Sequence, residues 1–334
     1  VRSITGWILA VAVLIVAIAA SLAIGSRDIP IATVWHALVP AAGGAKASAE
    51  DLAVVLDLRV PRTVIGLAAG LALGLSGAVM QAVTRNPLAD PGILGVTSGA
   101  AFSVAIAVGV LGITAVSGYL WFAFGGALVA AVVVYLVGSA GRRGASVARL
   151  ILTGVALGAV LSGITSAMLL ANPQGFNAMA VWQSGSLADR GWTAVVPVTP
   201  FLVVGVVLTF LIGGRLNVLA LGDDVASAMG VNLVVTRLVA VAAVTLLAGG
   251  ATAIAGPIAF IGLMVPHVAR WIVGPDYRWI FAYTAVLAPT LLLAADILGR
   301  VVLRPGELPA GIVTACIGAP VLIALVRRDR AISL

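Results

Sequence analysis

Arginines stand in close pairs at the ends of long apolar stretches. Arg59 and Arg62 flank Pro61, and Arg300 and Arg304 are four residues apart. A guanidinium offers paired planar donors that fit a carboxylate, so such pairs can hold an acidic surface; they can equally snorkel at a helix end. Asp223 and Asp224 follow Gly222 in the stretch 214–231, where acids suit a helix N-terminus. Asn86-Pro87-Leu88 is a polar, proline-broken turn after an apolar stretch, either an ordinary turn or a constriction. Small residues recur every four positions at Gly66, Gly70 and Gly74, which reads as a packing face. The same spacing at Gly154, Gly158, Ser162 and Ser166 reads as packing or as a weakly polar face lining a pore.

The missing groups narrow the chemistry. There is no G-x-x-x-x-G-K-[ST] phosphate loop, no H-E-x-x-H and no G-x-S-x-G, and the one lysine, Lys46, falls in a loop. His36 and His267 are too far apart to suggest a metal site, and His267, after Pro266, reads as part of a kink. Cys316 is alone in an apolar run, so no disulfide framework exists. No acid falls at the centre of an apolar segment; Asp296, spaced i,i+4 with Arg300, comes closest. Carriers driven by protons or sodium usually keep an ionisable group there. The chain therefore reads as a conduit that takes its energy from elsewhere.

The elements that carry these residues are membrane spans. Of 334 residues, 62% are hydrophobic and 9% charged, against about 25% charged in a soluble domain. Mean hydropathy is +1.19. The net charge of +7 is dispersed between apolar runs, which orients a membrane protein and does not make a nucleic-acid surface. Ten spans are expected, near 7–25, 63–83, 92–112, 119–139, 149–170, 193–213, 232–253, 258–272, 279–299 and 309–326. The eighth is short and holds Pro266. The first is longer than a signal-peptide core and reads as a retained helix. Ten crossings put both termini on one side, and twelve of the 19 basic residues then fall on that side, which makes it cytoplasmic. The expected class is all-α and polytopic, a single membrane domain over 1–334, with 214–231 as a cytoplasmic loop of helical pattern.

Several longer segments, in order, carry a resemblance. They are RVPR, LGLSGAVMQAVTRNPLADPGILGVTSGA, LILTGVALGAVLSGI, VWQSGSLADRGW, ALGDDVASAMGV, GPIAFIGLMVPHVAR, LLAADILGR and ELPAGIVTACIGAP. Over about residues 50 to 330 the chain resembles the permease subunits of type II ABC importers for ferric siderophores, haem and cobalamin. The resemblance implies a dimer with an identical or homologous permease and two cytoplasmic ATPase subunits that use ATP and Mg. It also implies an extracytoplasmic binding protein that delivers the ligand, and residence in the bacterial cytoplasmic membrane. No cofactor or metal held by this chain is implied, and no catalytic residue. Arg59, Arg62 and Arg300 match the family's contacts to acids of the binding protein. Asn86 and Leu88 match one cytoplasmic gate, and Ser146 and Val147 roughly match a second, with Val147 less polar than usual. Residues 216–230 match the ATPase-docking helices, with Gly222, Ala226 and Gly230 as pattern positions beside Asp223 and Asp224. The fifth and tenth spans would line the pathway. Ferric siderophores are the family's commonest cargo; haem or cobalamin, a stand-alone carrier or channel, and a membrane enzyme or scaffold are the alternatives.

Overall fold

A computed structural model describes residues 2–25, 27–39, 48–139, 147–171, 179–304 and 306–332, and among them the regular structure is entirely helical. The helices are α1 (Arg2–Ala23), α2 (Ile31–Leu38), α3 (Ala49–Ala53), α4 (Val60–Thr84), α5 (Val96–Ala105), α6 (Val116–Ser139) and α7 (Val147–Ala171). They continue with α8 (Gly191–Leu219), α9 (Asp223–Ala228), α10 (Leu233–Ala255), α11 (Ile261–Val273), α12 (Tyr277–Val302) and α13 (Ala310–Ile332).

Among the described residues seven helices, not ten, are long and apolar enough to cross a membrane: α1, α3 running through a π-helical stretch into α4, α6, α7, α8, α10 and α12. Three of the expected spans hold shorter apolar helices, Val96–Val110, Ile261–Val273 and Ala310–Ala324. Two of these are cut short by local chemistry. Ahead of α5, the Asp90 carboxylate caps a 3-10 turn at Pro91–Leu94, and Gly95, at φ 73°, holds the helix back to Val96. Ahead of α11, Gly256 at φ 75° and Phe260 at φ 70° bracket irregular backbone, leaving a helix of 13 residues. At 1.5 Å per residue that is about 20 Å, short of a ~30 Å hydrocarbon core.

The bundle is organised around α4. In its most apolar window 78% of residues are buried, against 6% for α1. Lipid supplies no hydrophobic drive between helices, so close backbone approach has to supply the contact. The glycine row meets that need against α12. A Cβ at Gly70 would lie 2.6 Å from Pro289 Cα, and one at Gly66 would lie 2.7 Å from Leu293 Cδ2. On another face of α4, Gly77 rests on Gly262 of α11. Gly70→Leu is expected to force α4 from α12 and to cost at least ~1–3 kcal/mol. The thermal unfolding midpoint in detergent reads this, with Gly109→Ala, where an added Cβ meets nothing within 4 Å, as the unchanged control.

Candidate functional sites at the two ends of the bundle

At the end where α1 finishes, arginines take up its free carbonyls. The last turn of a helix leaves carbonyls without intrahelical partners, and a cation there also suits the helix dipole. Arg59 donates from Nη1 to Leu22 O at 2.9 Å and Ala23 O at 2.7 Å, and from Nη2 to Arg27 O at 2.6 Å. Arg300 donates from Nη1 to Ser21 O at 2.7 Å and Ile24 O at 2.9 Å. Arg304 reaches Gly25 O at 2.8 Å and Asp28 Oδ1 at 3.1 Å.

Behind these caps lies a buried ion cluster. Asp296, with no exposed surface, accepts from Arg62 Nε at 3.0–3.1 Å and Nη2 at 2.8 Å, and from Arg300 Nε at 3.0 Å and Nη2. Arg62 also donates from Nη1 to Glu307 Oε2 at 2.6 Å. Above the cluster opens a cavity of about 350 Å³. Arg27, Arg59, Arg62, Arg190 and Arg300 line it, opposed by Asp57, Asp189 and Glu307, so its wall is basic. On the rim, Arg27 pairs with Glu50, whose hydrogen bond and then charge hold the guanidinium above its usual range.

These contacts define the surroundings of the three arginines. Arg59 and Arg300 are 4% and 1% exposed and donate to the end of α1 while still bordering the cavity; Arg62, with 13% of its side chain exposed, is the most accessible of the three. Neither snorkelling nor free display describes the first two. The i,i+4 spacing of Asp296 and Arg300 was legible in sequence, but Arg27, Arg190 and Glu307 join the site through long-range folding that no local pattern announces.

The opposite end carries the proline-broken turn. Arg85 closes α4 in the left-handed region at φ 51°, and Asn86 Oδ1 accepts from Leu88 N at 2.9 Å, leaving Leu88 exposed. Asp223 accepts from Arg85 Nη2 at 2.8 Å and from Arg237 Nη2 at 2.7 Å, tying this turn to the start of α9 and to α10. The helical pattern of 216–230 is in fact the end of α8, a turn, and the six residues of α9. Gly222 at φ 113° and Gly230 at φ 79° bracket α9 in conformations that suit glycine. The apolar residues of this segment fall on two sides. Leu219 and Ala226 are fully buried anchors, while Leu221 and Met229, 63% and 61% exposed, form an outward apolar patch with Val225. Asp224 is exposed beside it.

The small-residue row on α7 also divides. Gly154 is a packing glycine, because an added Cβ would fall on Ile93 O of the 3-10 turn, and a Cβ at Gly158 would lie 3.2 Å from Ser98 Oγ. Ser162 and Ser166 are exposed, with Ser166 Oγ donating to Ser162 O at 2.9 Å. Ser146 lies outside the described residues, and Val147 opens α7.

Removing one cation from the buried cluster is expected to be costly and removing the rim pair is not. Arg300→Met removes one of the two arginine partners of Asp296 and two helix-end carbonyl contacts, and is expected to cost about 3–5 kcal/mol. Arg304→Ala breaks a largely solvated pair and is expected to cost under ~1 kcal/mol. Thermal unfolding of the two variants in detergent separates these outcomes.

Comparison with known proteins agrees with this arrangement. Residues 13–328 match the FecCD transport family. The ferric enterobactin transport system permease protein FepD of Escherichia coli is 50% identical over 94% of this chain and 92% of its own length. A probable siderophore transport system permease protein of Bacillus subtilis, YfiZ, is 37% identical over 96% of each. The hemin transport system permease protein HmuU of Yersinia pestis is 34% identical over 82% of this chain and 83% of its own. A solved inward-facing structure assigned to the metal-chelate type of ABC transporter superposes with a TM-score of 0.85 at 26% identity, covering 97% of this chain and 99% of that one. A chain of apolar helices with this extent of match is a multi-pass permease subunit of a type II ABC importer, and it belongs to the FecCD transport family.

Proposed function

We propose that this chain carries ferric siderophores across the bacterial cytoplasmic membrane as one half of a permease dimer. The observation that carries the cargo is the 50% identity, over nearly the full length of both chains, to a ferric enterobactin permease. In this reading 1–334 is one transport domain. The three shorter helices complete ten crossings, and both termini are cytoplasmic, in keeping with the bias of basic residues. The basic cavity faces outward and receives an acidic surface of a binding protein. Arg62 is its reachable member among the three arginines named by resemblance, and Arg59 and Arg300 hold the surface from behind. Charge of this sign steers encounter as well as contact.

At the cytoplasmic end, Asn86 and Leu88, with Ser146 and Val147, form the constriction. The exposed face of Leu221, Val225 and Met229, with Gly222, Asp223, Asp224, Ala226 and Gly230 shaping it, docks the ATPase subunits that hydrolyse ATP with Mg as cofactor. Ser162 and Ser166 face the pathway, and weak hydroxyl contacts let a bulky cargo pass without being trapped.

Two outcomes follow. Proteoliposomes holding this chain with its second permease, ATPase and binding protein are expected to accumulate iron-55 as a ferric catecholate only with ATP inside the motor compartment. Accumulation of haemin in its place would assign haem as cargo, and accumulation by this chain alone on an ion gradient would sink the importer reading for cargo and motor alike. Met229→Asp, which places a charge on the exposed apolar patch, is expected to cut uptake at least about tenfold by costing ~1–3 kcal/mol of docking. Co-purification of the ATPase reads it, and undiminished recovery of the ATPase would remove the docking assignment.

A further inference from the structure

A second cavity, of about 360 Å³, extends inward from the turn that follows Leu88, and none of the roles above uses it. Its wall includes Leu73, eleven residues or about 16 Å from the end of α4 at Thr84, so it reaches deep into the span. The two interruptions of the helical bundle meet here: Asp90, Pro91 and Gly92 from the turn before α5, and Pro257–Ala259 from the irregular backbone before α11. Interrupted helices at membrane depth survive where they line a cavity, and there their free oxygens are available to a cation.

The oxygen inventory has one charge. Asp90 accepts from Gly92 N at 2.7 Å through Oδ1, and among the described residues no arginine pairs with its carboxylate. Asp223 and Asp296, by contrast, each hold two arginines. Thr97, Ser98, Thr252 and Gln183 share the cavity with Asp90, and none of their side chains makes a hydrogen bond among the described residues. Thr252 is only 2% exposed, so its hydroxyl is available to the cavity and to little else. The exposed residues Gln183 and Ala259 form the mouth. One carboxylate among several neutral oxygens balances one positive charge. Calcium and magnesium draw on more carboxylate or on retained water.

We propose that this cavity binds an alkali-metal cation, with Asp90 supplying the charge and Thr97, Ser98, Thr252 and Gln183 supplying neutral oxygens. A bound cation neutralises a carboxylate that otherwise sits alone at depth, and it holds the turn before α5 against the break before α11. The turn before α5 follows directly on Asn86 and Leu88, so occupancy stiffens the chain next to them.

The test reads cation binding and is independent of the cargo. The assembled transporter in detergent is heated at constant ionic strength in sodium, potassium or N-methylglucamine chloride, and sodium-22 binding is measured at equilibrium. A saturable rise in unfolding midpoint with sodium or potassium, absent with N-methylglucamine, is expected. Asp90→Asn is expected to weaken it at least about tenfold, as the loss of a charged ligand does. Thr252→Val, which keeps volume and charge, guards against misfolding of the first variant and is expected to weaken binding as well. Equal midpoints in the three salts, a shift produced only by calcium or magnesium, or a saturable shift unchanged in both variants would each overturn the site. Cation binding that persists in a preparation unable to take up ferric catecholate counts against the cargo alone.

Discussion

A backbone that leaves its helix inside a bilayer finds no water to bond with, and this structure meets that constraint with side chains at each break. Pro266 lacks the N–H that would bond Gly262 O within α11. Gln81 of α4 substitutes for it, donating from Nε2 to Gly262 O at 3.3 Å and Leu263 O at 3.0 Å. Asn86 and Asp90 close the turn after α4 with their own carboxamide and carboxylate oxygens. Asn217 Oδ1 accepts from Tyr277 N at 2.7 Å where α12 begins. The end of α1 draws on three arginines. Polar residues are few in this chain, and many of them are spent on the main chain of another helix.

The arginine end shows why the residue type matters. Arg300 bonds Asp296, Ser21 O and Ile24 O at once, a reach that needs a planar fork and that an ammonium cannot match. Burying these ions costs several kcal/mol each before their attraction is counted. The cluster is therefore better understood as a device that fixes position than as a source of stability. It locks α1, α4 and α12 together through Asp296, and it does so directly beneath the basic cavity. Asp296 and Glu307 share the Arg62 guanidinium, so the wall of the cavity is bonded to the ends of three helices.

Much of this was legible in sequence, and the failures share one cause. Composition alone required a polytopic bundle, and the row Gly66, Gly70, Gly74 foretold a close helix contact because the helical repeat is local. Gly154 obeys the same repeat, yet its partner is a 3-10 turn from residues sixty positions earlier in the chain, and nothing in its own helix says whether protein or pathway lies opposite. Sequence places Arg59 and Arg300 at the ends of apolar stretches, but the carbonyls they serve belong to α1. That the turn holding Asp90 folds back beside Leu73 and Thr252 is likewise a tertiary fact. Local periodicity identifies faces; it does not identify what stands across from them.

The opposite end raises the question of what can transmit force. Asp223 links Arg85, in the turn after α4, to Arg237 and the start of α9. Arg85 and Asp223 are about two-fifths exposed, and pairs of that kind contribute roughly 0–1 kcal/mol. Such links can set the register of the turn against α9, but they are too weak to drag it. The stiffer path runs through Ala226 and Leu219, both fully buried, which seat α9 and its preceding turn against the bundle. Packed interiors resist compression, so those anchors couple the Leu221–Met229 face to α8 and α10 as one body. The ion pairs set the Asn86–Leu88 turn in register with that packed unit.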